Sequence, residues 1–442
     1  MRDLIVIGGG PSGLAAGVSA KAAGRDVLVL EADSRAGGNM RSEVIDGCVV
    51  DWGPTTMRLV DPLVLTALDG MGALPDVVDA DPHTKSKRML VCSGALAPLP
   101  GLPWSLMPGG MFGLGWLGRL LWNAISPPKQ AADVTLDVWV RAQLSDAILR
   151  NAVDPFVSGV YAGDPTQLIA RLAFPDLIEM ADAGGGSLLR GVFKRKKAGE
   201  TISPGRLINL RGGMEGIATA ATRTLGDSLS LSTPVRGLVR EGEAWRVLTE
   251  QGEHRARSVV LSAPCHALGP VLAGLDADLA RQVETVPYAT IALVTLRLRE
   301  SDIPNIPAAF GFLVPRAEPS HVLGALFTSC LFPGRALDGE RAITLFVGGR
   351  RHQAWLDSVD DDAVRADARA LLERVLGWRG EATMHVKRIP RAIAQYDRSV
   401  WGLAEAVSRL QGRHPTLRWA SNAPGGVALP AAIARGWIAG KP

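Results

Sequence analysis

Apolar runs alternate with glycine-rich breaks along this chain, and that rhythm predicts most of its elements. Residues 4–7 form a short unbroken apolar run that stops at Gly8-Gly9-Gly10. Such a run, without polar alternation, suits a parallel strand covered on both faces. From Pro11 the pattern turns to small apolar residues (Ala15, Ala16, Ala20, Ala22, Ala23) and closes at Gly24, a C-cap for a helix. A second strand at 26–31 ends on an acid, Glu31. Strand, tight turn, helix and strand make the opening of a doubly wound nucleotide-binding fold.

Farther along, 58–80 reads as a helix and loop, 86–91 as a strand, and 133–160 as helical. Residues 206–214 return to a strand with a Gly-Gly turn and an alanine-rich helix to Gly226, and short alternating strands fill 229–264. Longer runs at 289–298, 311–315, 322–329 and 342–348, with a helical pattern at 361–376, predict a mostly antiparallel sheet covered by a helix. At 418–422 a strand leads to Gly425-Gly426 and a final helix. The expected fold is α/β: a Rossmann-like nucleotide-binding domain (1–80, 205–267, 395–442), a mixed-sheet substrate domain (81–100, 268–394) and a helical membrane or substrate-access domain (101–204).

The stretch 101–128 departs from these patterns. Trp104, Trp116 and Trp122 crowd among leucines and methionines, but prolines, glycines and Arg119 break it too often for a membrane span. It reads either as core-packing helix or as a patch lying on a membrane with its tryptophans at headgroup level. The run Lys194-Arg195-Lys196-Lys197 reads as a loop, solvated or in contact with anionic lipid.

Composition narrows the function classes. Lysines and arginines (48) barely exceed acids (44), so the net charge of +4 gives no reason to expect nucleic acid as the main partner. The four cysteines lie far apart and the seven histidines show no ligand spacing, which argues against a disulfide framework or a metal site. With its first apolar run too short for a signal peptide, the chain is expected in the cytoplasm, peripheral on the inner face of the cell membrane if 101–128 meets lipid.

The clearest chemistry is at the start. Gly8, Gly10 and Gly13 have the G-x-G-x-x-G spacing, which provides a tight turn, a close approach to a pyrophosphate and close helix–strand packing. Glu31 stands where a ribose hydroxyl needs an acceptor, which favours FAD or NAD over NADP. Arg35 beside Gly37-Gly38 can approach and neutralise a diphosphate, and Gly53-Pro54 offers a second close backbone approach, tilting the choice to FAD. The strand, glycine turn and helix N-terminus near the end of the chain suit phosphate binding again.

The pattern Glu31-x-x-x-Arg35-x-Gly37-Gly38 followed by Asp51-x-Gly53-Pro54 resembles the flavin amine oxidase superfamily, which includes protoporphyrinogen oxidases and phytoene desaturases. Residues 154–165, Ala173-Phe174-Pro175, 186–191, 310–315 and 323–335 resemble the oxygen-dependent protoporphyrinogen oxidases in particular. The resemblance implies FAD and a six-electron oxidation of protoporphyrinogen IX to protoporphyrin IX. Dioxygen would accept the electrons and hydrogen peroxide would form.

By resemblance, Gly159 lies beside the pyrrole nitrogens, Leu313 and Phe327 hold the macrocycle from its faces, and Arg88 meets a propionate. Val235 contacts the adenine through its backbone, and the segment with Asn422 and Val427 reaches the FAD phosphates and the flavin ring. On chemistry alone Arg88 reads as a solvated strand end, and Leu313 and Phe327 as core. Ser421, Thr55-Thr56 and residues 394–399 depart from the family pattern. Coproporphyrinogen III oxidation is the runner-up, ahead of carotenoid desaturation and of a flavin or porphyrin carrier without turnover. A homodimer is compatible with all of them.

Overall fold

The first apolar run becomes the strand Arg2–Ile7, with Leu4, Ile5 and Val6 fully buried. The structure, a computed structural model, describes residues 1–99, 115–197, 205–303 and 306–442. The first half of the tryptophan-rich stretch, to residue 114, therefore lies outside the described residues. The chain forms two units: Met1–Ala80 with Gly205–Val286 and Ser399–Pro442, and Asp81–Pro204 with Pro287–Arg398.

In the first unit, Arg2–Ile7 lies between Val27–Leu30 and Gly252–Leu261, parallel to both. The long strand Gly252–Leu261 pairs antiparallel with Ala244–Thr249 over its first half and parallel with Leu417–Trp419 at its end. Residues from the two ends of the sequence thus join one sheet.

The helix Pro11–Ala22 rests on this sheet, and Gly24, at φ +74°, follows its C-cap. The final helix, Leu429–Gly440, lies parallel against it: a Cβ at Gly436 would stand 1.9 Å from the Ser12 carbonyl oxygen, and one at Gly440 2.1 Å from that of Ala16. Only glycine permits backbones this close, which also explains the small residues of the first helix.

The sequence reading differs from the structure in three places here. Residues 58–80 contain strands as well as a helix: Met57–Leu59 and Val77–Asp79 flank Arg206–Leu210 in a small antiparallel sheet. The stretch expected to open the sheet domain at 268 instead continues the first unit, as the helices Cys265–Leu272 and Ala277–Glu284. Asp276, the N-cap of the second helix, is tied to Arg413 within that unit. Residues 395–398 belong to the second unit, where Arg398 pairs with Asp133 at 2.9 Å.

The second unit is built on a seven-stranded sheet in the order His385–Ala394, Tyr288–Arg299, Glu340–Gly348, Val322–Leu326, Gly311–Leu313, Arg88–Cys92, Ala95–Pro98. All neighbours are antiparallel except Gly311–Leu313 and Arg88–Cys92, which are parallel. Alternation sends Ala292, Val294, Phe312 and Leu345 to one face, where Leu371, Leu372 and Leu376 of the helix Asp361–Leu376 cover them. That helix begins at the Asp360 side-chain cap and ends at left-handed Gly377, both residue types the ends require.

The helices between residues 115 and 197 belong to this second unit rather than forming a domain of their own. Lys194–Lys197 form the last turn of the helix Leu188–Lys197, not a loop; cations are favoured at that end by the helix dipole. The strand expected over 322–329 stops at Leu326, and Thr328–Leu331 turn into a short helix.

Candidate functional site

The glycine motif builds a cradle in the first unit. Gly8 has φ +104°, and a Cβ there would stand 2.7 Å from the Ala263 nitrogen. A Cβ at Gly13 would lie 1.8 Å from the Gly8 carbonyl oxygen, so the first and third motif glycines are locked together. At Gly10 a Cβ would meet nothing within 4 Å, and no side chain caps the helix that starts at Pro11. Open space in front of uncapped helix N–H groups is what a pyrophosphate requires.

Glu31, Val235, Gly37 and Gly38 come to that cradle. Gly9 and Asp33 donate backbone N–H groups to the Glu31 carboxylate at 2.5 and 2.9 Å, holding it with lone pairs still available to a ribose. Thr233 donates its N–H to the Glu31 carbonyl at 2.7 Å, which brings Val235, the first residue of its strand, to the same sheet end. Gly37 donates to the Gly9 carbonyl at 2.8 Å, and a Cβ at Gly38 would be 3.6 Å from the Gly10 Cα. The second glycine pair therefore folds back over the first motif.

Arg35 has a different occupation from the one expected. Its guanidinium donates to the carbonyls of Gly38 at 2.6 Å and Met40 at 3.2 Å, and lies 3.7 Å from Glu215. It stiffens the loop that covers the cradle. Gly53 does make a close approach, but to protein: a Cβ there would stand 1.9 Å from the Asn39 carbonyl oxygen. Pro54 continues that loop. Near the C-terminus, the Asn422 side-chain oxygen accepts from the Cys265 N–H at 3.4 Å, and Ser421 donates to the Ala263 carbonyl at 2.7 Å. The hydroxyl of Ser421 is fully buried and satisfied, so the departure from glycine is accommodated. Val427 immediately precedes the N-cap of the final helix.

A buried network ties these loops together and was not legible as a site. Asp51, 4% exposed, accepts from Ser42 at 2.6 Å, Asn209 at 2.8 Å and the Met214 N–H at 2.9 Å. Glu215 in turn accepts from the Ser42 N–H at 2.7 Å. A buried carboxylate so fully bonded is structural, and it fixes the Gly53-Pro54 loop against the Gly212-Gly213 turn. Trp52 beside it is 5% exposed, and its indole N–H has no partner among the described residues. The open cradle, the held acid and this buried donor fit a dinucleotide flavin.

The expected substrate residues lie in the second unit. Gly159 in the helix Asp154–Tyr161 meets Leu313: a Cβ at 159 would stand 2.6 Å from the Leu313 Cδ2. Pairing register puts Lys387, Leu293, Phe346, Gly324, Leu313 and Leu90 in one row across the sheet, on the face opposite the core. Arg88, two residues before Leu90, shares this face; it is exposed, with its guanidinium 5.0 Å from the Phe310 ring centre.

Phe327 does not join them. It is 1% exposed in the core, packed edge-on to Phe312 at 5.8 Å, and Leu326 occupies the Leu313 face instead. Ala325 pairs with Phe312 on the core face, and Phe327, two residues on, falls to that same side. Sequence reasoning also missed the outer face of the Gly159 helix, where Phe156 and Val160 are 44% and 47% exposed. Phe156 precedes Gly159 by three residues and Val160 by four, and that helical spacing was the available signal.

Comparison with known proteins gives the family. The family model for flavin containing amine oxidoreductases matches residues 11–429. Protoporphyrinogen oxidase of Bos taurus is 30% identical over 388 residues, covering 81% of this chain and 79% of its own. The chloroplastic protoporphyrinogen oxidase 1 of Spinacia oleracea is 29% identical over 471 residues, covering 97% and 81%.

Among solved structures, a protein of Exiguobacterium sp. 255-15 provisionally identified as a protoporphyrinogen oxidase matches with a TM-score of 0.79 at 20% identity, covering 99% of this chain and 97% of its own. Cyclohexylamine oxidase of Brevibacterium oxydans matches with a TM-score of 0.75 at 17% identity, covering 99% and 98%. These structures share the fold across different substrates. The chain belongs to the flavin-containing amine oxidoreductase family, as an FAD-dependent oxidoreductase with protoporphyrinogen oxidases among its relatives.

Proposed function

We propose that the protein oxidises protoporphyrinogen IX to protoporphyrin IX, with dioxygen as acceptor and hydrogen peroxide as product. The observation that carries this reading is the wall formed by Gly159, Leu313 and Leu326, with Arg88 on the same sheet face. A flat, apolar macrocycle with carboxylate arms calls for such a wall with a cation beside it, and a guanidinium matches a propionate bidentately. The names of the curated relatives support the same substrate.

FAD, when bound, supplies the hydride acceptor. Six hydrogens leave the porphyrinogen, each pair as a hydride and a proton, and each pair reduces one dioxygen to peroxide. The gain of aromaticity drives the reaction, so the chain's own residues need only orient the ring and keep water away from it.

A second reading is favoured by Lys387, which lies at the other end of the row that contains Leu313. Two cations on one face suit coproporphyrinogen III, whose four carboxylates exceed the two of protoporphyrinogen IX. An aerobic fluorescence assay with each porphyrinogen, run with peroxide detection, decides between them. Faster porphyrin formation from protoporphyrinogen IX with equivalent peroxide supports the first reading. Preference for coproporphyrinogen III would move the assignment to the second, and inertness to both would end the porphyrinogen reading.

We further propose a peripheral contact with an anionic membrane. The helix Gly115–Ile125 buries Trp116 but leaves Leu121, Trp122 and Ile125 53%, 64% and 75% exposed. It packs against the helix Leu188–Lys197, which exposes Phe193 and ends in Lys194–Lys197. Apolar side chains bordered by cations suit acidic headgroups. No described helix is long and apolar enough to cross a membrane. Co-sedimentation with phosphatidylglycerol vesicles, but not with phosphatidylcholine vesicles, is the expected result; no binding to either would exclude the contact.

A further inference from the structure

The helix that carries Gly159 has two dissimilar sides. Phe156, Gly159 and Val160 face outward, whereas Asp154 and Ser158, four residues apart on the opposite side, are buried. The buried side is held by one arginine. Arg351, its side chain 4% exposed, donates from Nη1 to the Asp154 carboxylate at 2.9 Å. Its Nη2 donates to the Ser158 hydroxyl and to the Val314 carbonyl, both at 3.3 Å. Ser158 adjoins Gly159 and Val314 adjoins Leu313. A single guanidinium therefore spans the helix and the strand one residue away from the place where Gly159 meets Leu313.

Neighbouring groups reinforce that grip. Arg316 also reaches Asp154, at 3.3 Å, and pairs with Asp164 at 2.9 Å. The Arg350 N–H donates to the carbonyl of Ala162 at 2.7 Å, and a Cβ at Gly349 would stand 2.7 Å from that same oxygen. Ala162 is the left-handed C-cap of the Gly159 helix. Both ends of the helix are thus anchored to the segment 349–351, whereas its outer face is left for a ligand.

We infer that Arg351 is a positioning residue of the porphyrinogen site, setting the spacing between the Gly159 helix and the Leu313 strand and so the fit of the macrocycle. The inference rests on the porphyrinogen reading given above. The guanidinium reaches these acceptors from two separate nitrogens held in a rigid plane, whereas an ammonium gathers its three donors on one atom at the end of a flexible stem and does not reproduce that span. Most of the charge pairing with Asp154 survives in Arg351→Lys, whereas the span from Ser158 to Val314 is lost.

The test is steady-state kinetics with the porphyrinogen the wild type prefers, together with fluorescence titration of the porphyrin product and measurement of flavin content. Arg351→Lys is expected to raise KM and weaken porphyrin binding by about tenfold, in line with the loss of one to two hydrogen bonds. Its kcat should stay within about twofold and its flavin content should match the wild type. Ser158→Ala, which removes one acceptor only, should raise KM by about threefold and serves if Arg351→Lys does not fold. Unchanged KM in the folded variants overturns the inference, as does a loss of activity that merely follows lost flavin or lost folded protein. A wild type that oxidises no porphyrinogen would instead defeat the functional reading itself.

Discussion

Gly159 and Leu313 lie far apart in sequence, on separate segments of the second unit, yet a methyl group added to Gly159 would stand 2.6 Å from the Leu313 Cδ2. The two positions form one surface. Because the obstructing atom is the end of a flexible side chain, Gly159→Ala should fold, with Leu313 displaced from its place on the sheet. Porphyrinogen KM is expected to rise while flavin content stays at the wild-type level. Leu313→Ala added to it should recover part of the loss, with a coupling of about 1 kcal/mol in a double-mutant cycle. Strict additivity would separate the two residues functionally.

Glu31 is held by the N–H groups of Gly9 and Asp33, so its carboxylate is ordered before any ligand arrives. Glu31→Gln keeps the shape and removes the charge. A charge-assisted hydrogen bond contributes roughly 1.5–3 kcal/mol, so FAD should bind about tenfold to a hundredfold more weakly. Equilibrium dialysis against FAD measures this directly, and undiminished affinity would remove Glu31 from the cofactor site.

Gly436→Ala places a Cβ 1.9 Å from the carbonyl oxygen of Ser12, a backbone atom that cannot step aside. The final helix must shift away from the first, and the cost of such overpacking is about 1–3 kcal/mol. Thermal unfolding should report a lower Tm, accompanied by reduced flavin retention because the first helix begins at the cofactor cradle. A Tm equal to that of the wild type would mean that the two helices are free to separate.

His352 is half-buried, and burial, then Arg351, His321 and Arg316, lower its pKa from 6.5 to about 4. The unfolded chain takes up this proton near pH 6.5 and the folded protein resists it until about pH 4. The stability it contributes is therefore complete above the unfolded value and is lost as pH falls through that window. His352→Gln should show a smaller drop in Tm than the wild type between pH 7 and pH 4.5, at about the ordinary pKa range of histidine. An identical drop in both would assign the acid sensitivity to other groups, of which Asp164 is one. Burial raises the Asp164 pKa, but hydrogen bonds from Thr166 and Arg316 outweigh it and leave the value lowered, so its contribution is lost at more acidic pH.

The cofactor half of the site was legible because it is written locally. Gly8, Gly10, Gly13 and Glu31 sit within one strand–helix–strand unit, and the contacts between Gly13 and Gly8 and between Gly9 and Glu31 are made inside it. The candidate substrate half was less so. Phe327 and Leu326 are adjacent in an apolar run, and nothing in that run says which side chain faces the core. Pairing register decides it, by setting Ala325 against Phe312 on the core face and Leu326 against Gly311 on the other. Lys387 looks like any solvated lysine until pairing register carries it into the row with Leu313. Arg351 carries no sequence signal at all, since arginines are common here and its three partners lie far away in the chain.

By itself, then, the sequence determined most of the elements, the glycine motif of the cradle and the family. Hydrophobic period, glycine position and chain-local hydrogen bonding are short-range properties that any neighbour-by-neighbour reading recovers. Only the tertiary structure decided which side chains share a sheet face, that the first and last helices lie glycine to backbone, and that one guanidinium joins Ser158 to Val314. The reason is physical: register and close packing depend on the summed fit of residues hundreds of positions apart, and no local pattern encodes that sum.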